Sequence, residues 1–155
     1  MGAAVTKCLN LSKGCTFCRI VQGDQPSTIV YRDDRVIAFN DRRPAAAGHY
    51  QVIPRKHIRS VDQIVCEDQP LVSHMHDVGL KILDDRHPGA DALFGFHKPP
   101  FNSINHLHLH CIALPFNNGA KTCKYSKMGR FQLHWIPVDE FMVALSDTCK
   151  GNGQS

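Results

Sequence analysis

His106-Leu107-His108-Leu109-His110-Cys111-Ile112 is the stretch whose reading decides the fold. On an extended strand successive side chains alternate faces, so His106, His108 and His110 share one face. Leu107, Leu109 and Cys111 point the other way, toward a core. A solvated face that merely happens to be histidine is the plain alternative, but three in alternation argue for chemistry. A strand rises roughly 3.3 Å per residue, which separates the backbones of His106 and His110 by about 13 Å. Metal–nitrogen bonds near 2 Å cannot span that gap, so one ion serves at most two neighbouring members. The three histidines must divide their labour.

Outward from this stretch, Thr28–Arg32 and Val36–Asn40 flank Asp33-Asp34-Arg35 and read as a β-hairpin. His49–Pro54 and Ala92–Phe96 read as further strands, and 106–114 as a strand. Ser60-x-x-Gln63 has the form of a capping box opening a short helix. Asp68 is placed to cap a longer one, with Leu71, Met75, Val78 and Ile82 at helical spacing. His87-Pro88-Gly89 stops it. Asp139–Leu145 is a last helical stretch. Mixed strands with one strong helix give an α+β domain. We place a flexible segment at 1–14, one domain at 15–146 and a flexible tail at 147–155.

The 155 residues suffice for one domain with a sizeable core. Hydrophobic residues make up 43% and charged residues 21%, a globular mix. No apolar run approaches the ~20 residues that span a bilayer. The net charge of +4 is too scattered to be a nucleic-acid footprint, so no stable nucleic-acid partner is expected. The 10 His and 7 Cys stand out. With an odd cysteine number and no secretory signal, reduced cysteines in the cytoplasm, with the nucleus as a second setting, are expected rather than a disulfide framework. Met1-Gly2-x-x-x-Thr6 fits an N-myristoylation pattern with Cys8 nearby, and membrane contact is expected only through acylation of Gly2.

Cys15-Thr16-Phe17-Cys18 is a C-x-x-C pair, too short by itself for a zinc site. His49, His57 and one end of the histidine strand are candidates for the missing ligands. His74 and His76, two apart on the long helix, read as surface residues.

The His-φ-His-φ-His-φ-φ stretch with Ser103 upstream, together with His49-Tyr50-Gln51-Val52-Ile53-Pro54-Arg55-Lys56-His57, resembles the histidine triad superfamily and its Hint branch over about residues 15–116. Gly95–Ser103 and His110–Pro115 look closest to the plant subfamily numbered four, then the vertebrate subfamily numbered three. The resemblance implies a five-stranded antiparallel sheet with one long and one short helix, commonly in a homodimer. It implies a structural Zn2+ on Cys15, Cys18, His57 and His106. It makes His108 the nucleophile toward a nucleotide α-phosphorus, with its tautomer held by the His106 carbonyl. His110 would assist the leaving group, with His49 beside the site. Asn102 and Ser103 match phosphate contacts and Asp41 the ribose-binding carboxylate. Phe17, Ile20 and Phe39 match the base slot, for which ordinary core is the alternative reading.

The implied activity is hydrolysis of adenosine 5′-monophosphate derivatives, namely adenosine phosphoramidate or adenosine 5′-phosphosulfate, with phosphorolysis of the latter as a variant. The alternatives are a DNA deadenylase of the aprataxin type, whose C-terminal finger is missing here, and a non-catalytic zinc or nucleotide-binding module. Three departures stand against the pattern. Arg42 replaces an apolar residue at the base slot. Gly95 replaces a phosphate-binding Asn, with His97 as the candidate to compensate for it. The stretch 117–145 departs most.

Overall fold

A computed structural model describes residues 12, 14–125 and 134–151. The N-terminal acylation motif with Cys8 lies outside them. The chain folds as α1 (Thr16–Gln22), β1 (Ile29–Arg32), β2 (Val36–Asn40), β3 (Ala46–Pro54), α2 (Gln69–Arg86), β4 (Ala92–His97), β5 (Leu109–Phe116), α3 (Gly119–Lys124), β6 (Trp135–Pro137) and α4 (Val138–Gly151). The strands form one antiparallel sheet in the order β1-β2-β3-β5-β4-β6.

Strand alternation sorts the side chains onto two faces. Val36 and Ala38 of β2, Tyr50 and Val52 of β3, Phe96 of β4, and Leu109, Cys111 and Ala113 of β5 pack into one core with α2. The helix contributes Val72, Met75, Val78, Ile82 and Leu83, the stripe expected from its period. Burying each such side chain contributes roughly 1.5–3 kcal/mol. The intervening residues face the other side: Ile37, Phe39 and Ile53 pack with Phe17 and Ile20 of α1. Ile112 packs there with Ala45, Tyr125 and Trp135. His49, His97 and His110 belong to this second face.

Among the described residues the sheet has six strands, not five. The sixth, β6, pairs Gly95 with Pro137, Phe96 with Ile136 and His97 with Trp135. Three residues ending in proline leave no alternating run to recognise. The described residues form four α-helices rather than a long and a short one. Ser60 makes no side-chain cap, and only a 3-10 turn (Val61–Gln63) follows it. Asp68 does not cap α2 either. Its carboxylate accepts the Val65 N–H and pairs with Lys56, which draws it back toward the preceding turn. The histidine strand starts later than its pattern suggests, because the Leu107 N–H donates to the Ile58 carbonyl at 2.7 Å and ladder pairing begins at Leu109.

The C-terminal helix continues to Gly151, into the stretch placed as a tail, because Phe141, Met142 and Leu145 give it an apolar face. The expectation that all cysteines are reduced is corrected for two of them. Cys66 and Cys149 form a disulfide across a Cα–Cα distance of 5.6 Å. Their separation of 83 residues in sequence hid a pairing that the packing of α4 creates.

Candidate active site

His108 follows the loop Lys98–Leu107 and sits at the head of β5. Its Nδ1 is 2.7 Å from the His106 carbonyl, so Nδ1 carries the proton and donates. Nε2 therefore holds a lone pair, the state a nucleophile needs. Its ring lies 5.3 Å from Phe17 and 5.0 Å from His110. Burial lowers its proton affinity.

A second set of hydrogen bonds fixes the remaining imidazoles by a chain of necessity. The Ala45 N–H can only donate, so His49 Nδ1 accepts, at 2.9 Å. Neutral His49 then bears its proton on Nε2, which is 2.9 Å from His110 Nδ1. His110 accepts there and carries its own proton on Nε2, 3.1 Å from His97 Nδ1. His97 accepts in turn and donates from Nε2 to the Lys124 carbonyl at 3.1 Å. Three imidazoles thus form a one-way wire, with a backbone donor at one end and a backbone acceptor at the other. Burial drives the proton affinities of all three down, His49 and His97 to about 4 and His110 well below its ordinary value. The wire is neutral near pH 7.

Beside it a cavity of about 650 Å³ is lined by Phe17, Ile20, Phe39, Asp41, Ser103 and His110, among others. That is ample for a mononucleotide. Asp41 is held rigid, since its carboxylate accepts from Gln51 Nε2 at 2.6 Å and from the Arg43 N–H at 2.7 Å. Of the residues singled out in the sequence, most converge here. His49 sits behind His110, away from the lining. Neither His108 nor Asn102 lines this cavity; both border a small adjoining crevice, where His108 packs against the cavity residues Phe17 and His110, and the Asn102 amide donates to the Ile104 carbonyl and to Asn105.

Cys15, Cys18, His57 and His106 also converge. His106 Nδ1 lies 3.5 Å from both sulfurs and 3.2 Å from His57 Nδ1, which is 3.2 Å from Cys18 Sγ. Ligands on tetrahedral zinc stand about 3.3–3.7 Å apart, so these four could hold a metal ion with no open position. His106 Nε2 donates to the Pro54 carbonyl at 2.9 Å, the outer contact that orients a ligating imidazole. Asp41, His49 and His110, and likewise His97, His108 and His110, also bring donor atoms together. The wire argues against a metal in either, because His49 Nε2 and His110 Nε2 carry protons.

Sequence reasoning overlooked Gln51, Tyr125 and Trp135, and singled out His97 only as compensation for Gly95, not as a link between His110 and the Lys124 backbone. The position of His97, two residues past Gly95 on one strand, was the available signal. Gly95 itself has a packing reason. A Cβ there would lie 2.3 Å from the Trp135 ring and 2.7 Å from the Ile136 carbonyl. The indole occupies the space in which a side chain at position 95 would stand.

The fold and this constellation define a histidine triad protein. Residues 14–126 match the family described as "Scavenger mRNA decapping enzyme C-term binding", and the chain belongs to the histidine triad family. It is 45% identical over 121 residues to the bifunctional adenosine 5′-phosphosulfate phosphorylase/adenylylsulfatase HINT4 of Arabidopsis thaliana, covering 77% of this chain and 83% of that one. It is 34% identical over 139 residues to the adenosine 5′-monophosphoramidase HINT3 of Danio rerio, covering 88% and 84%. A histidine triad protein of Clostridium difficile superimposes with a TM-score of 0.64 at 37% identity, covering 68% of this chain and 95% of that one. A zinc-bound histidine triad protein of Mycobacterium smegmatis shares the fold, with a TM-score of 0.61 at 23% identity over 90% and 98%.

Proposed function

We propose that the protein hydrolyses adenosine 5′-monophosphate derivatives through an adenylyl-His108 intermediate. The observation that carries the reading is the 2.7 Å hydrogen bond from His108 Nδ1 to the His106 carbonyl, which leaves the Nε2 lone pair available on a ring packed against Phe17 and His110, two residues that line the nucleotide-sized cavity. In the first step Nε2 bonds to the α-phosphorus and the bond to the leaving group breaks. In the second, water attacks the same phosphorus and releases AMP and His108. As the imidazole becomes cationic in the adduct, its Nδ1–H bond to the carbonyl strengthens. Phosphate in place of water gives phosphorolysis.

In this reading the base lies against Phe17, Ile20 and Phe39, and Asp41 accepts from the ribose hydroxyls. Ser103, with Asn102 after a turn of its amide, contacts the phosphate. The similarity to an adenylylsulfatase and to phosphoramidases supports the adenylyl class. Zn2+ on Cys15, Cys18, His57 and His106 would hold α1 to the approach of β5 and take no part in the chemistry. The proposal extends to a homodimer, which sedimentation tests.

The test is intact-mass measurement after mixing with adenosine 5′-phosphosulfate or adenosine phosphoramidate. An adenylyl adduct is expected on the wild-type chain and none on His108→Ala. Undiminished turnover by His108→Ala would overturn the mechanism.

A further inference from the structure

The cavity crosses the sheet in a definite order. Phe39 on β2 and the α1 residues wall one end. His110 on β5 stands between that end and His97 on β4. In the reading proposed above, on which this inference rests, the base lies over β2 and the reacting phosphorus near β5. The leaving group then lies over β4. The residue there is Lys124, the last of α3, which lines the cavity with His97 and His110.

Lys124 is held at that place by its backbone. Its carbonyl accepts from His97 Nε2 at 3.1 Å and from His134 Nε2 at 3.0 Å. Its ammonium lies 5.3 Å from the centroid of Tyr125. The Tyr125 ring packs edge-on or tilted against His49, His97 and His110 at 5.2–5.4 Å. Its positive charge is felt by His49, His97, His108 and His110 alike. Among the described residues no carboxylate forms an ion pair with it.

The one-way wire gives this cation its importance. Each imidazole in it already donates once and accepts once, so a further proton would set two N–H groups against each other. An amine leaving group needs a proton before it can depart, and a wire whose N–H groups are all engaged is a poor source of one. An oxyacid or carboxylate does not: the P–O bond breaks, the electron pair stays on the departing oxygen, and no proton moves. What such a leaving group needs is a fixed positive charge.

We propose that Lys124 receives the leaving group and selects, among adenylyl substrates, those that expel an anion (sulfate, phosphate or a carboxylate) over those that expel an amine. His97 is a positioning residue that anchors it.

The test compares kcat/KM for adenosine 5′-phosphosulfate and adenosine phosphoramidate in the full chain. In Lys124→Gln the phosphosulfate-to-phosphoramidate ratio is expected to fall about tenfold to a hundredfold, the range for losing one charge-assisted hydrogen bond. Lys124→Arg should restore the ratio to within about threefold, since the charge returns. Lys121→Gln, one turn earlier on α3, removes the same net charge and should leave the ratio within about threefold. A ratio unchanged in Lys124→Gln, or equally altered by Lys121→Gln, overturns the role of Lys124 and leaves the adenylyl reading intact. A wild-type chain that turns over neither substrate and forms no adduct refutes that reading, and this inference with it.

Discussion

At the scale of single residues, the unusual feature is how many buried histidines are held without charge. His49 is 3% exposed and His97 8%, and desolvation is the largest influence on each. The consequence for stability has a definite sign. In the unfolded chain these groups take up protons below about 6.5, whereas in the folded chain they resist until about 4. Their contribution is therefore complete above pH 6.5 and is lost as pH falls from there toward 4. Each group can remove up to about 3 kcal/mol over that window. Urea titrations between pH 8 and pH 5 should show a midpoint that holds at the top of the range and declines below 6.5. A midpoint flat to pH 5 would contradict the neutral wire. The triad itself was legible in sequence because alternation is a strong periodic signal. The His106 carbonyl that sets the His108 tautomer followed from the resemblance, but the partners that set the wire did not, because Ala45 and Lys124 act through backbone groups, which residue identity does not reveal.

At the scale of elements, the C-terminal part contains what periodicity left unread. The strand β6 packs Trp135 against His97 and His110 and runs directly into α4, which packs on α2. The Cys66–Cys149 disulfide ties the far end of α4 to the turn before α2. Closing a loop of 83 residues removes chain entropy worth about 4.5 kcal/mol from the unfolded state. Cys149→Ser, or reduction of the wild type, is expected to lower the thermal midpoint by several degrees, as calorimetry with and without reductant would show. Equal midpoints would mean that α4 is held by packing alone. The long helix and the hairpin could be read from apolar spacing. The bridge could not, since two cysteines 83 residues apart carry no sign of adjacency.

At the scale of the whole molecule, the site is assembled from distant parts of the chain. The α1 helix brings Cys15 and Cys18, the stretch after β3 brings His57, and the loop before β5 brings His106. A metal held by all four would fasten the base-binding wall to the catalytic strand. Cys15→Ser is expected to lower bound zinc, measured by elemental analysis, and to raise KM for adenylates more than it lowers kcat, because Phe17 and Ile20 ride on the same helix. Full zinc content in that variant would refute the assignment. The family resemblance ended near residue 116, so Tyr125 and Trp135, which pack behind His97 and His110, lay beyond the reach of the sequence motifs. Trp135 is also the only tryptophan in the chain. Trp135 lies 5.1 Å from His97 and 5.9 Å from His110 and is 1% exposed. Its indole is therefore an intrinsic fluorophore set against the imidazoles that would change charge or contacts during turnover. Emission in a stopped-flow instrument then reports on one location, with no label attached and no second tryptophan to contaminate the signal.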